Sequence, residues 1–190
     1  MVNIPICDFA YIGGSSTLNL EIPESLALDF VEVKQSGLCF DTPYGRSPEF
    51  KHLIIHGDYR EKRILTCRMH GWRHGANRAD ASKQVFWVLK NSGVKKILAE
   101  GGVGAINHLL NPRDLVIPHD YIDYSVRKDV ALDDKYLLVM RDAICPDMCQ
   151  RLISFSREKW PARVFDRSIY VNTDGRHFES PAEVNMFRIA

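Results

Sequence analysis

The chain has 190 residues, with 25 Lys+Arg against 24 Asp+Glu for a formal net charge of +1, and is 45% hydrophobic and 10% aromatic. This is the balance of one soluble globular domain, and it excludes collagenous, disordered and coiled-coil architectures. The charges of both signs are interleaved with no basic stripe, which argues against a nucleic-acid partner, and no apolar run approaches the roughly 20 residues that span a bilayer.

A chain of this length buries roughly 70% of the surface it exposes when unfolded, so it needs no disulfide or metal staple. The five cysteines, Cys7, Cys39, Cys67, Cys145 and Cys149, are odd in number and scattered. The N-terminal run has no basic leader followed by a long apolar segment. Together these point to a reducing cytoplasm.

Short β-like runs fill the first third: IPICDFAYIGG, LALDFVEVKQSG, LCFDT, FKHLIIHGDY and REKRILTCRMHG, each closed by Gly, Pro, Asp or Ser. From Asp80 the period changes. Val85, Phe86, Val88 and Leu89 recur at helical spacing, and Asn91-Ser92-Gly93 supplies a helix end with a glycine after it. KKILAEGG then reads as a short buried strand, GAINHLL as the opening of a helix, and DLVIPHDYIDYS as a strand broken by Pro118.

A helix is expected from Ile144-Cys145-Pro146-Asp147 to about Trp160, with Pro146 in the first turn and Met148, Leu152, Ile153 and Phe155 as its apolar stripe. Arg163 to Thr173 is strand-like, and Pro181 begins a last helix. Strand and helix alternate, so the fold class is α/β. There is no internal repeat, low-complexity segment or Gly/Ser/Pro linker to divide the chain, which is read as a single domain over 1–190. The last helix reaches Ala190 without a cap, so the chain reads as cut short.

Four segments carry candidate chemistry. Gly13-Gly14-Ser15-Ser16-Thr17 follows the apolar run Phe9 to Ile12. Successive glycines let backbone N–H groups converge beside hydroxyls, as an oxyanion requires, although an ordinary turn has the same composition. Glu100-Gly101-Gly102-Val103-Gly104 partly imitates a dinucleotide fingerprint, but its third glycine position is Asn107 and it lies in mid-chain after a helix. A tight strand-to-helix turn, compatible with an anion, explains it better.

Arg68-Met69-His70-Gly71-Trp72-Arg73-His74-Gly75 packs cationic and switchable donors after the strand ILTC, and suits phosphate or a sugar hydroxyl. A solvated basic loop is the plain alternative. His70 and His74 stand four apart, but Gly71 intervenes and the glutamate of a protease motif is missing, so no metal is assigned. Cys145 and Cys149 have no histidine or second cysteine pair nearby and read as structural.

Asn172 to Glu183 sets polar donors, Phe178 and carboxylates between strand and helix. Ser180-Pro181-Ala182-Glu183 has the form of a capping box, which leaves Phe178 and Glu179 free as a grip on a purine.

In this order the segments resemble the purine nucleoside phosphorylase and methylthioadenosine phosphorylase family. IGGSSTL is similar to its phosphate loop, DTPYG to a family turn, MHGWRH to its Arg-His-Gly loop, GGVGAINHLLNPRDLVIPHDYID to its central segment, and TDGRHFESPAEVNMFR to its glutamate-and-phenylalanine signature. The resemblance runs from about Asp8 to Arg188. It implies a single α/β domain with a mixed central sheet flanked by helices, usually assembled as a homotrimer or dimer of trimers. It also implies phosphorolysis of a purine nucleoside such as S-methyl-5′-thioadenosine or methylthioinosine, with no cofactor beyond inorganic phosphate as co-substrate.

By the same resemblance Ser15, Arg68, His70 and Gly101 bind phosphate, while Gly102, His74, Phe178 and Glu179 bind the nucleoside. Phe178 stacks on the base, Glu179 faces its edge as in members that take 6-oxopurines, and His74 lines the 5′ end. Met69 stands where the family has arginine, so Arg68 or Arg73 takes that duty, and Gly101 replaces a threonine. Ala81 to Val85 departs from the family's "NYRAN"-like segment.

The strand and the Asp or Asn that contact the purine lie beyond Ala190 in this correspondence. The catalytic acid is therefore left unassigned and the chain is expected to be a fragment of a longer enzyme. Two alternatives stand beside this expectation: a decayed nucleoside-binding or oligomerisation member, and a hydrolytic nucleosidase. A nicotinamide enzyme built on Gly101 to Gly104 is the weakest.

Overall fold

A computed structural model describes residues 3–57, 60–70, 75–126, 131–132, 139–175 and 177–189. These residues fall into two compact units, one running to Val103 with a short piece around Leu132, the other beginning at Gly104.

The first unit is built on strands β1 (Phe9–Gly13), β2 (Val31–Leu38), β3 (Asp41–Thr42), β4 (Gly45–Arg46), β5 (Phe50–Ile55), β6 (Lys62–Arg68) and β7 (Lys96–Ala99), with helix α1 (Arg78–Asn91). Five strands form one mixed sheet in the order β2-β5-β6-β1-β7, and β3-β4 is a separate two-stranded turn. β2, β5 and β6 pair antiparallel in succession, whereas β1 runs parallel to both β6 and β7.

Alternation along the strands sends Ala10, Ile12, Phe50, Leu65 and Cys67 into a common core with Val85, Val88 and Leu89 of α1. Phe50, Leu65, Val85 and Val88 are essentially dry. Burying each such side chain contributes about 1.5–3 kcal/mol.

α1 begins at Arg78, two residues before the sequence pattern changes, because Asn77 caps it by accepting the Asp80 N–H at 2.8 Å. It ends where Gly93 turns with φ +76°. Gln84 donates to the Tyr44 carbonyl at 2.7 Å and ties the helix to the β3-β4 turn.

One strand departs from expectation. KKILAEGG reads as buried, yet among the described residues of this unit β7 is the last strand of the sheet, and Ile97 and Leu98 are each 38% exposed. A short apolar run does not by itself distinguish a central strand from an edge.

The second unit pairs β8 (Leu115–Asp123) with β9 (Val164–Asn172), and adds α2 (Pro146–Lys159) and α3 (Pro181–Ile189). β8 and β9 are parallel, and the register shifts around Pro118. Pro118 therefore bulges the strand and does not end it. α2 packs on both strands, with the Cys149 thiol donating to the Pro118 carbonyl at 3.7 Å. Tyr124 meets Phe187 of α3 edge-on, ring centroids 5.3 Å apart.

The helix expected at GAINHLL does not form. The Asn107 side chain accepts the Leu109 N–H, its carbonyl accepts the Leu110 N–H, and Asp114 accepts the Asn111 N–H, making a chain of turns that leads into Pro112. Among the described residues no helix is long and apolar enough to cross a membrane.

Candidate active site

Parallel pairing places the site. Because β1, β6 and β7 run the same way, with Gly13 opposite Arg68 and Ile12 opposite both Cys67 and Ala99, their C-terminal ends finish along one edge. Three loops emerge there side by side: Gly14 to Thr17, Met69 to His70, and Glu100 to Gly102. The Met69 N–H donates to the Gly13 carbonyl and the Glu100 N–H to the Ile12 carbonyl, which carries the pairing one residue past each strand.

Glycine is required at position 14. A Cβ there would stand 2.3 Å from the Glu100 carbonyl oxygen, a contact with backbone that no rotamer relieves. At Gly102 the obstacle would be the Ser15 hydroxyl, 2.9 Å away. The two loops are in contact only because both lack side chains at these points.

Their polar groups are joined to each other. Ser15 Oγ accepts the Gly102 N–H at 2.7 Å and donates to the Gly102 carbonyl at 3.3 Å. The Glu100 Oε1 atom accepts from the Gly14 N–H at 2.5 Å and from the Thr17 hydroxyl at 2.6 Å, while its Oε2 is buried with no partner among the described residues. Burial alone would raise this carboxyl, but the bonds from Thr17 and Gly14, with Ser16 alongside, outweigh it and hold Glu100 below the usual glutamate range. Burial also pushes the neighbouring Tyr11 phenol up, against a hydrogen bond with Thr17.

Ser15, Gly101 and Gly102 thus come together at one strand edge, with His70 exposed on the adjoining loop. Arg68 has its stem beside Gly13, but its guanidinium donates to the Leu20 carbonyl and lies 3.5 Å from Glu21. His74 lies outside the described residues.

In the second unit Phe178 is 98% exposed, and Glu179 accepts the Thr173 hydroxyl at 2.7 Å. The capping box forms as read: the Ser180 N–H donates to Glu183 at 2.7 Å and the Glu183 N–H to the Ser180 hydroxyl at 3.3 Å. That capping bond first, and then Ser180 Oγ and His177, hold the Glu183 carboxyl below its ordinary value.

Cys149 on α2 carries no activated thiol signature, since burial and then Cys145 push it up. Among the described residues no three His, Cys, Asp or Glu side chains gather as a metal would require. Sequence reasoning passed over Glu100, taking it only as the residue before a glycine pair. Its signal was a carboxylate at a strand end facing a loop of donors.

A mixed sheet with a helix packed on it and a glycine-rich loop at the end of a parallel strand defines an α/β fold whose loops gather at one strand edge. The family model described as the phosphorylase superfamily matches residues 10–190, and the chain belongs to that superfamily.

A protein of Methanothermobacter thermautotrophicus named "Probable S-methyl-5'-thioinosine phosphorylase" is 32% identical over 150 residues, 77% of this chain and 50% of that one. The S-methyl-5'-thioadenosine phosphorylase of Hyperthermus butylicus is 29% identical over 185 residues, 95% of this chain and 63% of that one. The methylthioadenosine phosphorylase structure from Schistosoma mansoni superposes with a TM-score of 0.72, covering 96% of this chain and 69% of that one, and at 19% identity this is a likeness of fold. The chain spans about half to two thirds of the length of these two curated relatives.

Proposed function

We propose that the protein cleaves the N-glycosidic bond of a purine nucleoside such as S-methyl-5′-thioadenosine or methylthioinosine. The products are free purine and a 5-modified ribose 1-phosphate, and inorganic phosphate is the co-substrate. The observation that carries this reading is the meeting of Gly13–Thr17, Met69–His70 and Glu100–Gly102 at one parallel-strand edge in a chain of the phosphorylase superfamily. Relatives named as phosphorylases of methylthioinosine, methylthioadenosine and 6-oxopurine nucleosides support it.

As the bond to the base breaks, the ribosyl carbon becomes cationic, and a phosphate dianion held beneath it both stabilises and captures that charge. In this reading Ser15, Arg68, His70 and Gly101 hold phosphate. Gly102, His74, Phe178 and Glu179 hold the nucleoside, with Phe178 stacking on the base and Glu179 accepting an N–H from its edge. Assembly as a homotrimer or dimer of trimers and a cytoplasmic location belong to the same proposal.

Purine release from methylthioadenosine, methylthioinosine and inosine, with and without phosphate, tests it on the full-length gene product. Phosphate-dependent release is expected. Absence of release from every nucleoside under both conditions overturns it.

The position of Arg68, engaged by Leu20 and Glu21, favours a second reading in which nucleoside binds without turnover or water replaces phosphate. Calorimetric binding with no release supports a binder, and release independent of phosphate supports a hydrolase.

A further inference from the structure

We propose that Glu100 is an internal competitor for phosphate: its carboxylate occupies the anion position of the Gly14–Thr17 loop and sets how strongly inorganic phosphate binds there. The inference rests on the phosphorolytic reading, since it concerns the co-substrate of the same site.

A loop of glycine N–H groups and hydroxyls gains its affinity for an oxyanion from donors with no other acceptor. Here the strongest donors are already taken from within the chain. Glu100 Oε1 receives the Gly14 N–H at 2.5 Å and the Thr17 hydroxyl at 2.6 Å, the hydroxyl contact having the length of a charge-assisted bond. The Ser15 hydroxyl is spent on the Gly102 carbonyl. The second oxygen, Oε2, is buried with no partner at hydrogen-bond distance among the described residues, with Ser16 and the Thr17 N–H nearby.

A buried carboxylate oxygen without a donor is costly, so Glu100 is only half satisfied where it sits. Its position also sets a negative charge against the place a phosphate dianion would take. For phosphate to receive the Gly14 and Thr17 donors, Glu100 must turn away or take up a proton, and the free energy of that displacement is subtracted from phosphate affinity.

The backbone permits such an exchange. Gly101 and Gly102 directly follow Glu100, a Cβ at Gly101 would meet nothing within 4 Å, and both residues are exposed. Glu100 directly follows β7, which ends the sheet among the described residues of the first unit.

Glu100→Gln keeps the length of the side chain and an oxygen to accept from Gly14 and Thr17, but removes the charge. Direct titration of wild type and this variant with inorganic phosphate by calorimetry is the first arm, and the KM for phosphate against the KM for nucleoside is the second. The variant is expected to bind phosphate about tenfold more tightly, the effect of one charge-assisted contact, with the nucleoside KM little changed. Glu100→Asp, which keeps the charge, is expected to stay near wild type.

Equal or weaker phosphate binding by Glu100→Gln, in protein that melts as wild type does, overturns the inference. So does absence of phosphate binding in both proteins, because removing the competitor should then uncover the loop. If Glu100→Gln gains phosphate affinity while no nucleoside is cleaved by either protein, the phosphorolytic reading fails and the competition stands. A purely structural role for Glu100 would shift stability and both KM values together.

Discussion

The loop that follows β1 and the segment that follows β9 are both candidate ligand contacts, and they are built in opposite ways. Gly13–Thr17 is buried at its glycines, wired to Glu100 and Gly102, and follows Ala10 and Ile12, which lie in the core. Thr173–Ser180 is secured at its ends, by Thr173 on Glu179 and by the Ser180 cap, and between them Phe178 stands in solvent. A change in the first should therefore be felt by the fold, and a change in the second by the ligand.

The sharpest way to break this contrast is Gly14→Ala. With a Cβ 2.3 Å from the Glu100 carbonyl, two loops must part, and a loss of about 3 kcal/mol in stability is expected by chemical denaturation. Phe178→Ala should do the reverse: stability within about 0.5 kcal/mol of wild type, but a nucleoside KM raised about tenfold if the ring stacks on the base. A large stability loss from Phe178→Ala would show that the segment is part of a core.

Ser180→Ala probes the anchor of that second segment. Loss of the cap should cost about 1 kcal/mol, seen in the melting temperature, and Ser180→Asp should restore most of it. The smallest effect is one of pH. His52 lies buried on β5 with Nε2 unpartnered, and burial first, then Arg63 and Lys34, lower its affinity for a proton. A histidine with a depressed folded pKa contributes stability that is present above its unfolded value near 6.5 and is lost as pH falls towards the folded value. Stability should decline below about pH 6.5, and His52→Leu should reduce the slope there.

Much of the scaffold was legible in one dimension because local chemistry marks it. Strand runs closed by turn residues located β1, β2, β3, β5 and β6, Pro146 opened α2, and Ser180 to Glu183 announced the cap of α3. Asn77 was missed as the start of α1 because a cap lies outside the apolar period. GAINHLL has helical composition, yet Asn107 and Asp114 bind nearby backbone N–H groups and hold turns instead.

Pairing was not legible. Nothing in FAYIG says that its neighbours are Lys62–Arg68 and Lys96–Ala99, since strand partners are chosen by distant packing. The same holds for the site: Ser15 and Gly102 stood out as residues, but their contact and the role of Glu100 between them arise only when two strand ends separated by over eighty positions finish together.

The parallel arrangement around β1 also bears on how this protein tolerates change. Pairing is fixed by Phe9–Gly13, Lys62–Arg68 and Lys96–Ala99, while the chemistry sits one to four residues further on. His70 and Gly101 are exposed positions outside the ladder, so exchanging them alters what the edge recognises without asking the sheet to refold, whereas Met69 extends the pairing and packs against the core. Gly14 is the exception, being both loop and contact. Laboratory evolution of a new nucleophile or sugar preference should accordingly accumulate mutations at 70 and 101 freely and leave 14 untouched.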